Sequence, residues 1–384
     1  MLSTMLAAEQ PQAPQATPPS RSGGINPRSY GLRVETEAIV AGLVAAVLCG
    51  IVALIIFAGQ VTPLWGGLSV GAIAALSALV VGIAAAFTGY WRSRHRPGQE
   101  WRLRIASWTF IVDSTTVALV HAMIAAILTM AVFVLLQRSF EGLVLDMYSG
   151  AIAVAVCAGG AGYLIYQSVS DITTRKMSSM LVAFMAISVL TSIATAQDPA
   201  WWEYHFSQLG TAGDFSAWMF NTTLIVAGFF VTTFTLYLHR DLTTLVERGI
   251  LVHQWAPRVL TVTFVVLGVM LAGVGLFPVD VNMAVHNGCA SGMAAAFAVM
   301  VLGSPWILKG LPKRFFVICY VTFGVLIGGF LLFTPVGYYN LTAFELVAFT
   351  IIFSWITVFI RFIDAIVGSS PDAAGAAVMP ASVA

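Results

Sequence analysis

From Ala38 to Ala58 the chain reads AIVAGLVAAVLCGIVALIIFA, twenty-one consecutive residues with no charge, no amide side chain and no proline. An α-helix of that length rises roughly 30 Å, the thickness of the hydrocarbon core of a bilayer. Helix is also the form in which one segment satisfies its own backbone N–H and C=O groups where water cannot reach them. The stretch is apolar on every side, which excludes the surface helix of a soluble domain, where polar residues would return every third or fourth position.

Outward from that stretch the pattern repeats. Spans are expected at Ala38–Ala58, Gly67–Gly89, Val112–Leu136, Gly150–Ser168, Met177–Ala196, Ala217–Leu238, Val259–Phe277, Val285–Ile307, Phe315–Phe333 and Ala343–Phe362. Over the 384 residues, 59% are hydrophobic and 9% charged, where a soluble domain carries roughly 25% charged residues. The segments are too long and too uniformly apolar for the alternating strands of a membrane barrel. The expected fold class is all-α: a polytopic transmembrane bundle of about ten helices.

The connecting segments sort the charges. With the N-terminus inside, the inner segments hold seventeen of the eighteen Lys and Arg residues and leave only Arg138 outside. A wrong helix count would scatter them over both faces, so ten spans, both termini cytoplasmic and a plasma-membrane location follow together. The outer segments hold Glu141, Asp146, Asp198, Glu203, Asp214, Asp280 and Glu345, making that face acidic by six charges. Such a face concentrates cations; it is also what remains once basic residues are sorted inward. Two inner stretches, Trp101–Phe110 and Leu242–Trp255, read as short interfacial helices.

The domain division expected is a disordered tail over residues 1–35, rich in Pro, Gln and Ser; a four-helix membrane region over 36–176; a six-helix domain over 177–364; and a second disordered tail over 365–384. The four cysteines lie inside apolar stretches with no CxxC pair, which points to packing and not to disulfides or zinc.

Two groups of residues could carry chemistry. The first is Glu203, His205, Ser207, Gln208, Asp214, Asp280 and His286, all on two outer loops and the helix starts beside them. Of these, His205, Asp280 and His286 are candidate ligands for a divalent metal or candidate acids and bases. The plainer roles are helix capping by Asp214 and by Asp280 or Asn282, with Pro278 in the turn. The second group is intramembrane: Asp113 and His121, eight residues and roughly 12 Å apart on the third span, could flank one face as a proton relay. A neutral His121 bonded to a neighbouring helix, for example to Asn221, Thr222 or Thr223, is the bland alternative.

The outer group also sits on two motifs. The stretch Phe206-Ser207-Gln208-Leu209-Gly210-Thr211-Ala212-Gly213 followed by Asn221 resembles a Ser-Glu-Leu-Gly loop leading into an Asn-bearing helix. The stretch Gly275-Leu276-Phe277-Pro278-Val279-Asp280 with His286 after it is similar to a Gly-[Ile/Leu]-Phe-Pro-x-Asp turn with a downstream His. Both belong to the bacterial membrane family called domain of unknown function 998, which this chain resembles over about residues 177–362. The resemblance implies a six-helix membrane domain and brings no reaction with it. Gln208 stands where the family has Glu, so Glu203 or Asp214 would have to supply a carboxylate there.

Absent motifs narrow the field. There is no GxxxxGK[ST], HExxH, GxSxG or dinucleotide fingerprint, and no basic patch beyond what topology requires, so ATP-driven work and nucleic-acid binding are not indicated. Three functional classes stay open. One is a transporter-like protein, or one binding lipid or another small or amphiphilic ligand, with an outward polar site. The second is a membrane-embedded hydrolase or transferase, metal-dependent or not, acting on lipid-linked substrate. The third is a structural or regulatory subunit of an envelope complex with a partner membrane protein. Membrane lipids are partners in all three; no cofactor is named by the sequence.

Overall fold

The computed structural model describes residues 27–96 and 99–369. Among them are ten helices long and apolar enough to cross a membrane: α1 (Pro27–Ile56), α2 (Val70–Ser93), α3 (Ser107–Ser139), α4 (Met147–Ser170), α5 (Thr174–Thr195), α6 (Phe215–Glu247), α7 (Ala256–Leu276), α8 (Val279–Ile307), α9 (Lys313–Phe333) and α10 (Leu341–Gly368). The expected all-α bundle is what forms, and all four cysteines are free.

Local chemistry sets several of the helix starts. Ser69, Asp146, Thr173, Asp214 and Asn340 each turn a side-chain oxygen back onto the first-turn N–H groups of α2, α4, α5, α6 and α10, satisfying donors that a helix end leaves without partners. Asn282 does the same inside α8. Its backbone leaves helical geometry at φ −158°, ψ 89°, and its Oδ1 accepts from the N–H of Val285 at 3.1 Å. The expected eighth span therefore gains a short preceding turn that begins at Val279.

Other boundaries moved further. The Leu242–Trp255 stretch is not a separate interfacial helix: α6 runs on to Glu247, because Leu242 and Leu245 near its C-terminal end are fully buried and prolong the packed stripe. Trp101–Phe110 divides into a 3₁₀ turn at Glu100–Arg104 and the first turn of α3. Residues 27–35 belong to α1 and 365–368 to α10, which Ser369 caps; the rest of the two expected tails lies outside the described residues.

Without a hydrophobic drive between helices in lipid, close packing decides which pairs meet. The α6/α7 contact shows how. A Cβ on Gly228 would lie 2.4 Å from the carbonyl oxygen of Gly268, and one on Gly268 would lie 2.6 Å from the carbonyl of Gly228. Only glycine on both helices permits that approach.

Both ends of the bundle are polar, in different ways. At one end the Arg and Lys residues form ion pairs: Arg33 and Arg92 with Glu37 at 3.0 Å each, Lys176 with Asp171 at 3.1 Å, and Arg96 with Asp171. At the other, Thr62–Pro63 pairs antiparallel with Val144–Leu145, and the loops before α6, α8 and α10 converge.

The seam between α1–α4 and α5–α10 carries an unexpected polar knot. Arg102 is 2% exposed and donates to the Ser93 hydroxyl at 2.8 Å and the Tyr90 carbonyl at 3.0 Å, its guanidinium 3.8 Å from the centre of the Tyr90 ring. The Tyr90 hydroxyl meets that of Tyr237 on α6 at 2.9 Å, and Thr116 on α3 meets Thr233 on α6 at 2.8 Å.

Candidate functional site

The two sequence motifs come together at the acidic end. Asn221, one turn and a half into α6, donates from Nδ2 to the carbonyl of Gly210 at 2.8 Å, fixing the 3₁₀ turn Phe206–Gly210 over the start of the helix. A side chain on Gly210 would strike the Asn221 amide at 2.5 Å, and one on Gly275 would strike the Asn221 carbonyl at 2.6 Å. The first motif's Gly and Asn and the second motif's Gly are thus parts of one packing unit.

That unit presents His286 to Ser207. The His286 ring, 4% exposed, lies with Nδ1 2.9 Å from the carbonyl oxygen of Phe277 and Nε2 3.0 Å from the Ser207 hydroxyl. Phe277 ends α7, where carbonyls lack intrahelical partners, so the histidine also closes that helix. His205 opens the 3₁₀ turn. Its Nδ1 is buried with no partner among the described residues, and burial, followed by the neighbouring His286, lowers its pKa below the ordinary imidazole value of 6.5.

Beside this pair lies a cavity of about 420 Å³, within the roughly 300–1,000 Å³ typical of small-molecule sites. Its walls come from α6, α7, α8, α9 and α10 and are almost wholly apolar, with Phe220, Phe297, Phe330 and Phe349 prominent; Ser207 and Glu345 stand at its polar edge. Glu345 accepts the N–H of Phe206 at 2.6 Å, pinning the residue before Ser207. Ile327 and Phe330, on the wall formed by α9, are also 42% and 45% exposed. A cavity of about 430 Å³ at the opposite end is lined by Arg33, Glu37, Arg92 and Tyr166. Those groups already satisfy one another, with the Tyr166 hydroxyl 2.5 Å from Glu37.

The other outer candidates take separate places. Asp214 is the α6 cap, accepting from Ala217 at 2.8 Å; with Gln208 it lines a narrow cleft apart from the cavity. Glu203 and Asp280 are exposed. Among the described residues no three His, Cys, Asp or Glu side chains converge as a metal site, so His205, Asp280 and His286 are not assembled as a ligand set. In the membrane interior, His121 bonds the Val117 carbonyl at 2.8 Å and Ser168 of α4 at 3.1 Å. Its neighbour is therefore α4, not Asn221, Thr222 or Thr223. Asp113 instead has Thr233 and Arg102 as polar neighbours, and no hydrogen bond joins it to His121 among the described residues.

Ten apolar helices, ends of opposite charge and a chain-lined cavity define a multi-pass membrane protein. Within it, residues 179–361 match the model of the family described as protein of unknown function (DUF998), in agreement with the resemblance over about residues 177–362. No curated protein and no solved structure matches the chain.

Sequence reasoning missed two contributors. Glu345 drew notice only as an outer acid, since nothing in sequence ties it to Phe206, 139 residues away. Arg102 looked like any other topology-setting arginine, and its distinguishing signal is the company of Trp101 and Leu103 in the short segment between α2 and α3.

Proposed function

We propose that this protein binds an amphiphilic, lipid-like ligand in the cavity between α6, α7, α8, α9 and α10, with the apolar part among the phenylalanines and the polar part at Ser207 and Glu345. The observation that carries the reading is the cavity itself: five helices leave about 420 Å³ of apolar space unfilled, where close packing would otherwise be the main source of helix–helix stability. Ile327 and Phe330 on α9 line this space and are partly exposed, which supports sideways entry of a chain from the bilayer without crossing water.

The polar edge selects for a head group that donates hydrogen bonds or carries positive charge, because Glu345 offers a carboxylate there. The orientation that fits this reading puts the arginine-rich end in the cytoplasm of a plasma-membrane protein and the Ser207 end outside, as the positive-inside rule requires. A single cysteine introduced at Gly213 would then react with a membrane-impermeant maleimide on intact cells; reaction only after lysis would reverse the orientation.

Binding is tested with a phospholipid bearing a diazirine on its acyl chain. Irradiation of the full chain in mild detergent should give crosslinks at Met293, Phe297 and Phe349. Ala294→Trp, which fills the cavity, should reduce them at least tenfold, while Val262→Trp on an exposed face of α7 should not. Equal crosslinking in both variants would remove the reading.

A further inference from the structure

We propose that Ser207 and His286 form a nucleophile and base acting on a carboxylic ester of the lipid seated in the outer cavity. The inference rests on the binding reading above and adds a reaction to it.

The protonation pattern follows from the contacts. A backbone carbonyl only accepts, so the Nδ1 that lies 2.9 Å from the Phe277 oxygen must carry the ring hydrogen. A neutral imidazole then has its lone pair on Nε2, and the Ser207 hydroxyl 3.0 Å away must donate to it. That is the direction of hydrogen bonding that activates a serine for attack, with the carbonyl of Phe277 in the place of the third, orienting group. A hydroxyl hydrogen-bonded in the other sense would not be activated. Burial shields the histidine, and Ser207 stands between the ring and the apolar space. An acyl chain lying in the cavity would bring its carbonyl to the polar edge, where Ser207 is.

The reaction balances with water as the co-reactant. Ser207 Oγ bonds to the carbonyl carbon while its proton passes to His286 Nε2. The tetrahedral species collapses by breaking the bond to the leaving alcohol, which takes that proton, and the acyl group remains on Ser207. A water then attacks the acyl carbon and gives a proton to Nε2. The bond to Oγ breaks, and Ser207 regains the proton. Ester and water become carboxylic acid and alcohol, with no change of oxidation state; a second alcohol in place of water makes the same sequence a transfer. Glu345 is a positioning residue here, holding Phe206 and hence the serine's backbone.

The test is reaction of the full chain in detergent with a long-alkyl fluorophosphonate, read by mass spectrometry of the peptides. One adduct is expected, on Ser207, with none on Ser168, whose histidine contact is alike but which does not line the cavity. Ser207→Ala should abolish the adduct at an unchanged melting temperature in detergent, showing that the variant is folded. His286→Asn should slow labelling at least a hundredfold. Should that variant not fold, the pH profile of wild-type labelling replaces it: a rate that levels off at alkaline pH reports an imidazole base, and one that rises tenfold per pH unit throughout reports hydroxide alone and overturns the pair. Crosslinking without any Ser207 adduct would overturn the chemistry and leave the binding reading standing; loss of both would remove the binding reading as well.

Discussion

Among the described residues two histidines are paired with a serine, one in each half of the chain, with the same hydrogen bonds and different surroundings. His121 in α3 lies 2.8 Å from a backbone carbonyl and 3.1 Å from Ser168; His286 in α8 lies 2.9 Å from a carbonyl and 3.0 Å from Ser207. Both rings are buried. By bonding alone they cannot be told apart, and the sequence reading gave both histidines a place among the candidates. What separates them is the far side of the serine. Ser168 is spent on joining α4 to α3, whereas Ser207 lines an apolar cavity. A buried polar pair is costly in a membrane unless satisfied, so satisfaction by itself marks good packing; a satisfied pair with a reachable serine is the arrangement that can do chemistry.

The comparison makes the four-helix half a scaffold, and the largest expected effect tests that. Arg102→Ala empties the centre of the seam and leaves the Ser93 hydroxyl and the Tyr90 carbonyl without their donor. Each buried acceptor left without its donor costs about 1–3 kcal/mol, and two are left here, so a large fall in melting temperature in detergent is expected. Below that temperature, lipid crosslinking in the cavity should persist. Loss of crosslinking at unchanged melting temperature would break the division into scaffold and site.

Next in size is His121→Ala. It removes two buried hydrogen bonds and opens a space between α3 and α4, for an expected loss of about 2–3 kcal/mol, with Ser207 labelling unaltered. If the variant melts like the wild type but labels poorly, the sealed pair is coupled to the site and the comparison fails. Glu345→Gln should act in the opposite sense. The amide oxygen can still accept from Phe206, so stability holds, but removal of the charge should weaken retention of lipids with an ammonium head by about tenfold, equivalent to about 1.4 kcal/mol. Competition crosslinking with ammonium-headed and neutral lipids measures it.

How much of this could be read in advance follows from where each signal resides. The spans were legible because insertion into lipid is decided segment by segment, and each segment carries its own charge-free length. Asp214 as a cap was legible for the same reason: it acts on a residue three positions away. The meeting of Ser207 with His286 was half legible, since two loops at one end named the group but not the pairing. The cavity was not legible at all. Its walls are ordinary Phe, Leu and Ala residues from five helices, and empty space between them depends on interhelical distances that no local pattern encodes. Arg102 was hidden by the very rule that placed it, because a topology-setting arginine in water and one folded under a seam look alike in sequence.

The smallest effect sharpens the comparison from the pH side. His205 lies beside His286 and has no counterpart near His121. Burial and then His286 hold its pKa below 6.5 in the folded protein, while the unfolded chain titrates near that ordinary value. Above about pH 6.5 both states are neutral and the full stability is present. As the pH falls through the unfolded pKa toward the depressed folded one, the unfolded state binds the extra proton, and stability declines across that window. The residue is only partly buried, so screening keeps the loss under about 1 kcal/mol. The expected result is a melting temperature that falls slightly more between pH 7 and pH 5.5 in the wild type than in His205→Asn, the difference cancelling the carboxylates common to both. A steeper fall in the variant would mean that His205 is charged in the folded protein, placing a positive charge beside the ring that must accept the proton of Ser207.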